Sequence, residues 1–238
     1  MFANALTFAQ KELRSFFNSP VAYVILTLFL LICGWFFAAG LFLVGQADMR
    51  DLFSSIIPIA YLFFIPAITM RLISEEKKSG TLELLVTLPV RDAEIILGKY
   101  LATLGLLASA LVLSFAYPMT LAWLGDPDGG ALVGGYLGLF LMGAGYLAIG
   151  LFTSGLTQNQ IVAFISGFML IFVFFMLDKV LVFFPGPVAT VLEYLSVSYH
   201  FENIARGVVD TRDLIYYLSM IVVFLFLAMR TMESRRWR

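Results

Sequence analysis

Few side chains in this 238-residue chain are suited to chemistry, and their number already limits it. One cysteine, Cys33, forbids an intramolecular disulfide and any cysteine-based metal cluster. One histidine, His200, excludes sites that need two. No G-x-x-x-x-G-K-[ST] stretch occurs, so the chain has no phosphate-cradling loop of its own. No G-x-S-x-G elbow occurs either. Gly150 and Ser154-Gly155 hint at a serine nucleophile, but the topology argued below puts His200 on the opposite side of a membrane. His200 then reads as a hydrogen-bonded structural residue, and the ten scattered methionines as packing or lipid-facing residues.

The richest polar stretch is 71–92. It runs from Arg71 through Glu75, Glu76, Lys77, Lys78, Ser79, Gly80, Thr81, Leu82, Glu83 and Leu85 to Pro89, Arg91 and Asp92. Gly80 is placed to end one helix and Thr81 to cap a second. Pro89 limits that helix to about two turns, and Asp92 is placed to cap a third. The short middle helix carries Leu82, Leu85, Val86 and Leu88 outside any long apolar run. Its apolar side needs cover, from a bilayer surface or from a groove on a soluble partner.

The elements that position this stretch follow from composition. Hydrophobic residues make up 61% and charged residues 13% of the chain, and its mean hydropathy is +0.95. Soluble domains hold about 45–50% apolar and about 25% charged residues. A soluble globule, a disordered chain, a collagen-like fibre and a nucleic-acid-binding domain are excluded. Six apolar runs, 21–44, 54–70, 100–124, 131–152, 161–177 and 214–229, are each near the length of about 20 residues that a helix needs to cross hydrocarbon. The fold class is therefore all-α, a polytopic membrane protein. An even number of spans puts both termini on one side. That side carries 11 of the 15 cations, the others being Arg50, Lys179, Arg206 and Arg212, so the termini read as cytoplasmic. The formal net charge of −1 then splits into +4 on the cytoplasmic side and −5 on the external side.

We read residues 1–238 as one membrane domain that keeps its whole chain. Residues 1–19 form an interfacial helix, with Phe2, Leu6, Ala9, Leu13 and Phe16 on one stripe, and Pro20 opens the first span. Residues 71–99 form a cytoplasmic segment, and 178–213 an external one. The external segment holds two short helices, carrying Val188, Val191, Leu192 and Leu195, then Phe201, Ile204, Ala205 and Val208. Small residues at Gly98, Ala102, Gly105, Ser109 and Ala116, and at Gly134, Gly138 and Gly145, mark faces of close helix packing. No Asp, Glu, Lys or Arg falls inside the apolar runs away from their ends, which weighs against an ion-coupled carrier.

Residues 74–85, Ser-Glu-Glu-Lys-Lys-Ser-Gly-Thr-Leu-Glu-Leu-Leu, lead to Leu88-Pro89-Val90 and Gly98-Lys99. Together with residues 11–20 and 199–210, they resemble the signature of ABC-2-type ABC transporter permeases. Within that family the chain most resembles gliding-motility-associated permease subunits. More distantly, it is similar to the permease used in nitrous oxide reductase maturation. The resemblance implies a six-helix permease with a coupling helix after the second span and re-entrant helices before the last. It implies that Glu75, Glu76, Gly80, Thr81, Leu82, Glu83 and Leu85 lie in the coupling region that contacts a cytoplasmic ABC ATPase subunit dimer. The chain itself is then no enzyme and holds no cofactor, since ATP is bound by that partner. Its other partners are a second permease half, identical or paralogous, and the lipid bilayer of a bacterial inner membrane. Handling of cargo outside calls for an auxiliary protein with an external domain; no nucleic acid is involved. The expected function is ATP-driven export. The alternative within the family is a non-transporting scaffold or mechanotransducer.

Overall fold

The structure, a computed structural model, describes residues 2–45, 48–82, 90–125, 128–180, 183, 186–208 and 210–233. Among these residues every regular element is a helix. α1 (Phe2–Asn18) is followed by α2 (Pro20–Ala39), which continues as a π-helical turn (Gly40–Val44). A second π-helical turn (Leu52–Ile56) leads into α3 (Ile57–Thr69) and α4 (Ser74–Ser79). α5 (Asp92–Ser114), α6 (Ala116–Leu124), α7 (Gly129–Leu156) and α8 (Gln160–Val180) come next. Two short helices, α9 (Pro187–Leu195) and α10 (Val197–Ala205), precede the last, α11 (Thr211–Glu233).

Six stretches are long and apolar enough to cross a membrane: Pro20–Leu43, Leu52–Ser79, Asp92–Leu124, Gly129–Leu156, Gln160–Val180 and Thr211–Glu233. The second and third outrun their apolar cores, because their helices continue into the polar residues of 71–99. The 33 residues of Asp92–Leu124 rise about 50 Å, against a hydrocarbon thickness of about 30 Å. Lys99, at the edge of the apolar run, therefore sits two turns inside a helix.

Local chemistry sets the helix starts. Ser19 accepts the Val21 N–H at 3.4 Å and Pro20 fills the first turn of α2. Asp128 caps α7 by accepting from Gly130 at 3.0 Å. Asp210 accepts the Arg212 N–H at 3.1 Å at the start of α11, which holds its carboxyl below the usual range. The start of α5 corrects the sequence reading: Arg91, not Asp92, occupies the cap position. Glu94, three residues on, reaches back to accept the Arg91 N–H at 3.0 Å, leaving Asp92 as the first helical residue.

α7 is the central post. Its glycines, on two faces, admit other helices at close distance. Gly134 faces the Ile204 carbonyl, Gly138 the Phe201 ring, Gly145 Met220 and Gly150 Thr69. α10 thus packs into the bundle, burying Val197, His200, Phe201 and Ile204. α2 is the opposite case. It buries Ala22, Leu26, Phe29 and Cys33 and leaves Tyr23, Val24, Leu28, Leu31 and Trp35 exposed, as lipid contact requires.

α1 runs in the same direction as the first turns of α5. Asn4 reaches Glu94 at 3.4 Å, Ala5 and Phe8 lie on Gly98, and Leu13 lies on Gly105. The face of α1 that docks is Ala5, Ala9 and Phe16, flanked by Phe8 and Leu13. Leu6, assigned to the stripe from sequence, is 56% exposed. The docked face is the one that brings Ala5 and Ala9 to Gly98, where small residues let two backbones approach, and Leu6 lies away from α5.

A Cβ on Gly98 would stand 2.5 Å from Phe8 Cβ and 2.9 Å from the Ala5 carbonyl oxygen. Gly98→Val should lift α1 off α5, at a cost of about 1–3 kcal/mol. Limited proteolysis of membranes checks this: residues 2–18 should be cut faster in Gly98→Val. Gly40→Ala, where nothing lies within 4 Å, should behave as the parent. Equal cutting in all three would contradict the packing.

Candidate functional site

The residues singled out around 71–92 gather at the end of the bundle that carries α1. α4 holds Glu75 and Glu76 in its first turn and Lys77 and Lys78 in its last, each sign matching the helix dipole. Six residues make no stable helix alone, so its neighbours must hold it. Gly80 ends it with φ 73, the left-handed conformation that glycine adopts freely. The Ser79 hydroxyl donates to the Glu75 carbonyl at 2.9 Å and lies 2.9 Å from the Thr81 hydroxyl. Thr81 turns back toward α4, and Leu82 is buried. Glu83 and Leu85 lie outside the described residues.

Glu75 and Glu76 part company. Glu75 is exposed. Glu76 turns inward, and its Oε1 accepts from Lys99 Nζ at 2.6 Å. The same ammonium donates to Glu12 Oε1 of α1 at 3.1 Å. One lysine of α5 thereby ties α1 to α4. Lys99 is 2% exposed and each glutamate 19%. The other oxygen of Glu76 is buried without a hydrogen-bond partner. A cavity of about 390 Å³ opens beside it, lined among others by Glu12, Arg71, Glu75, Glu76, Thr81 and Lys99. The Arg71 guanidinium lies over the Phe16 ring, 5.5 Å from its centroid, a cation–π contact.

Between α3 and α4 the helix is interrupted. Pro66 lies inside α3, and the chain turns at 70–73. Ser154 of α7 fills this break. Its Oγ accepts the N–H groups of Ile73 at 3.1 Å and Ser74 at 3.2 Å, and donates to the Met70 carbonyl at 3.0 Å. One hydroxyl has thus used both lone pairs and its proton. Ser74 Oγ donates to the same Met70 carbonyl, and the Lys77 ammonium donates to the Gly155 carbonyl. Ser154 is therefore a backbone-completing residue, with no proton left for a base to take.

Sequence reasoning missed Glu12, Lys99, Lys77 and Ser154 as members of this site. Lys99 was visible as the end of the signature stretch Gly98-Lys99, with nothing to name Glu76 and Glu12 as its partners. Nothing in the sequence signals Ser154's partners. At the far end, His200 donates Nε2–H to the Tyr194 carbonyl at 3.1 Å and pairs through Nδ1 with Asp213 at 2.6 Å. Tyr216 stacks on the imidazole at 4.0 Å. Among the described residues no three His, Cys, Asp or Glu side chains are grouped to hold a metal.

Removing Lys99 strands two carboxylates. Lys99→Met should lower stability by about 3 kcal/mol, the lower end for a broken buried pair, because each glutamate keeps some exposure. Adding Glu76→Gln should recover part of the loss. Thermal unfolding in detergent closes the cycle, and strictly additive effects would rule out the pairing.

A family model described as ABC-2 family transporter protein matches residues 44–230, a stretch that includes α3, α4 and all of α5 to α10. No curated protein matches the chain. Five of the six spans, the charged helix α4 at one end and the packed short helices at the other fall within this match, and the first span, Pro20–Leu43, precedes it. Since it takes in about four fifths of the chain, the protein belongs to the ABC-2 transporter family, as a membrane-spanning permease component rather than an ATPase.

Proposed function

We propose that this permease is the membrane half of an ATP-driven ABC exporter in a bacterial inner membrane, powered by a separate cytoplasmic ATPase dimer. Both termini then face the cytoplasm, ATP is bound by the partner alone, and a second permease, identical or paralogous, completes the path. The single observation that carries the reading is α4. It is a charged helix beyond the apolar core of its span, tied through Glu76 and Lys99 to α1 and α5, and it ends at Gly80 just before the apolar segment 82–88. That segment has the composition of a helix that lies in a partner's groove. The likeness to gliding-motility permeases belongs to the same proposal.

In this mechanism ATP closes the two partner subunits upon each other. The segment at Thr81–Leu88 travels with them and acts as a lever at the base of the second and third spans. The two permease halves then separate toward the outside. Glu75, Gly80, Thr81, Glu83 and Leu85 supply the contact, while Glu76 and the buried Leu82 anchor it to the bundle.

Glu83→Lys combined with Leu85→Asp should leave the chain in the membrane but abolish copurification of the ATPase and its stimulated ATP hydrolysis. Retention of both would refute the contact. Reconstitution of the parent complex in liposomes then reads direction and cargo. ATP-dependent movement of lipid or another candidate cargo supports export, and brisk hydrolysis without movement supports force transmission instead.

A further inference from the structure

We infer that Ser154 and Lys77 are positioning residues that hand the movement of the coupling segment to α7, and that α7 carries it to α10 at the far end of the bundle. The inference rests on the coupling reading above and names the route inside this chain.

The direct route, up the second span, is mechanically poor. α4 joins α3 through the turn at 70–73 rather than through a regular helix, α3 contains Pro66, and its far end is a π-helical turn. A proline removes a ladder hydrogen bond, and each irregularity lets a helix bend where it is pushed. The route through Lys99 to α1 and α5 runs along a flexible four-carbon side chain.

The route into α7 is shorter: the one-carbon side chain of Ser154 grips backbone groups directly, and Lys77 adds a second tie. Ser154 Oγ holds the Ile73 and Ser74 amides and the Met70 carbonyl at once. Lys77 places its ammonium on the Gly155 carbonyl, at the end of α7 where carbonyls lack helical partners and the dipole is negative. Gly150 leaves Thr69 no room to move inward. Displacement of α4 must therefore displace the end of α7 or break these bonds.

α7 is suited to carry it. Its 28 residues contain no proline and no break, and they span about 42 Å. At its other end Gly134 faces the Ile204 carbonyl, and a Cβ on Gly138 would stand 3.0 Å from the Phe201 ring. α10 thus lies on the first turns of α7 with no compressible side chain between. His200 fixes α10 in turn to Asp213 of α11. A shift delivered at Ser154 emerges as a shift of α10.

The test uses the complex purified from its native membrane through a tag on this chain. Glu202 of α10 is exposed, and Glu202→Cys in a Cys33→Ala background takes a membrane-impermeant maleimide. A non-hydrolysable ATP analogue should change the labelling rate about fivefold or more, the low end of a typical coupling. Ser154→Ala should bring that ratio close to one while the ATPase still copurifies. In the same variant the Ile73 and Ser74 amides should exchange hydrogen about tenfold faster or more, since each loses its acceptor. Lys77→Met should reduce the labelling ratio and Lys77→Arg restore it. The inference is overturned by a parent complex with no nucleotide response at residue 202. It is equally overturned by a Ser154→Ala complex that keeps the parent ratio, or by unchanged exchange at residues 73 and 74. A parent chain that brings down no ATPase sinks the coupling reading first, and the route with it.

Discussion

Hydrocarbon offers no water to a broken helix, so each interruption of a spanning segment needs a protein group to complete its backbone. This constraint explains where the protein spends its few polar side chains. Ser154 completes the break between α3 and α4. Tyr100 donates to the Ala144 carbonyl at 3.1 Å, Tyr117 to the Leu30 carbonyl at 2.7 Å and Tyr217 to the Val197 carbonyl at 3.0 Å. The serine completes a broken backbone, while each tyrosine adds a hydrogen bond to a helical carbonyl of another element, so both kinds of contact fix the relative positions of helices.

Close approach is the second device. The small-residue face of α5 receives α1, while α7 carries glycines on two faces. Gly134, Gly138 and Gly145 receive α10 and α11, and Gly143 and Gly150 receive α3 on the other side. Both helices use close contact, but for different ends of the molecule. The α5 face brings Glu12 within reach of Lys99, and the first α7 face seats the short helices opposite. A permease that had only large apolar side chains at these positions would keep six spans and lose both arrangements.

The apolar runs were legible because hydrocarbon thickness sets a length that can be counted. The helix ends were not: α4 and the first turns of α5 are polar and helical at once, and counting apolar residues stops before them. α9 and α10 were legible from their periodicity. Of the candidate site, Gly80's turn was readable from residue type, and Glu76's inward direction was not. Its partner Lys99 lies 23 residues away, and Glu12 lies 87 from Lys99. Pairings across such separations are set by which helices pack, and that in turn by glycines whose partners the chain order does not name. The docking of Ala5 and Ala9 on Gly98 was unreadable for the same reason, since α1 was read against a flat bilayer and one side of it meets a grooved helix.

The packing of α1 on α5 has a consequence for biosynthesis. α1 leaves the ribosome first, yet Glu94, the partner of Asn4, follows 90 residues later. At about 5–20 residues per second that is a wait of roughly 5–18 s. Through that interval the first two spans are made, and the contacts they offer α1 lie near its end, at Phe16 and Phe17. Ala5 and Ala9 are thus made well before the surface of α5 that buries them, and the fold of the first helix is completed only when the third span is in place.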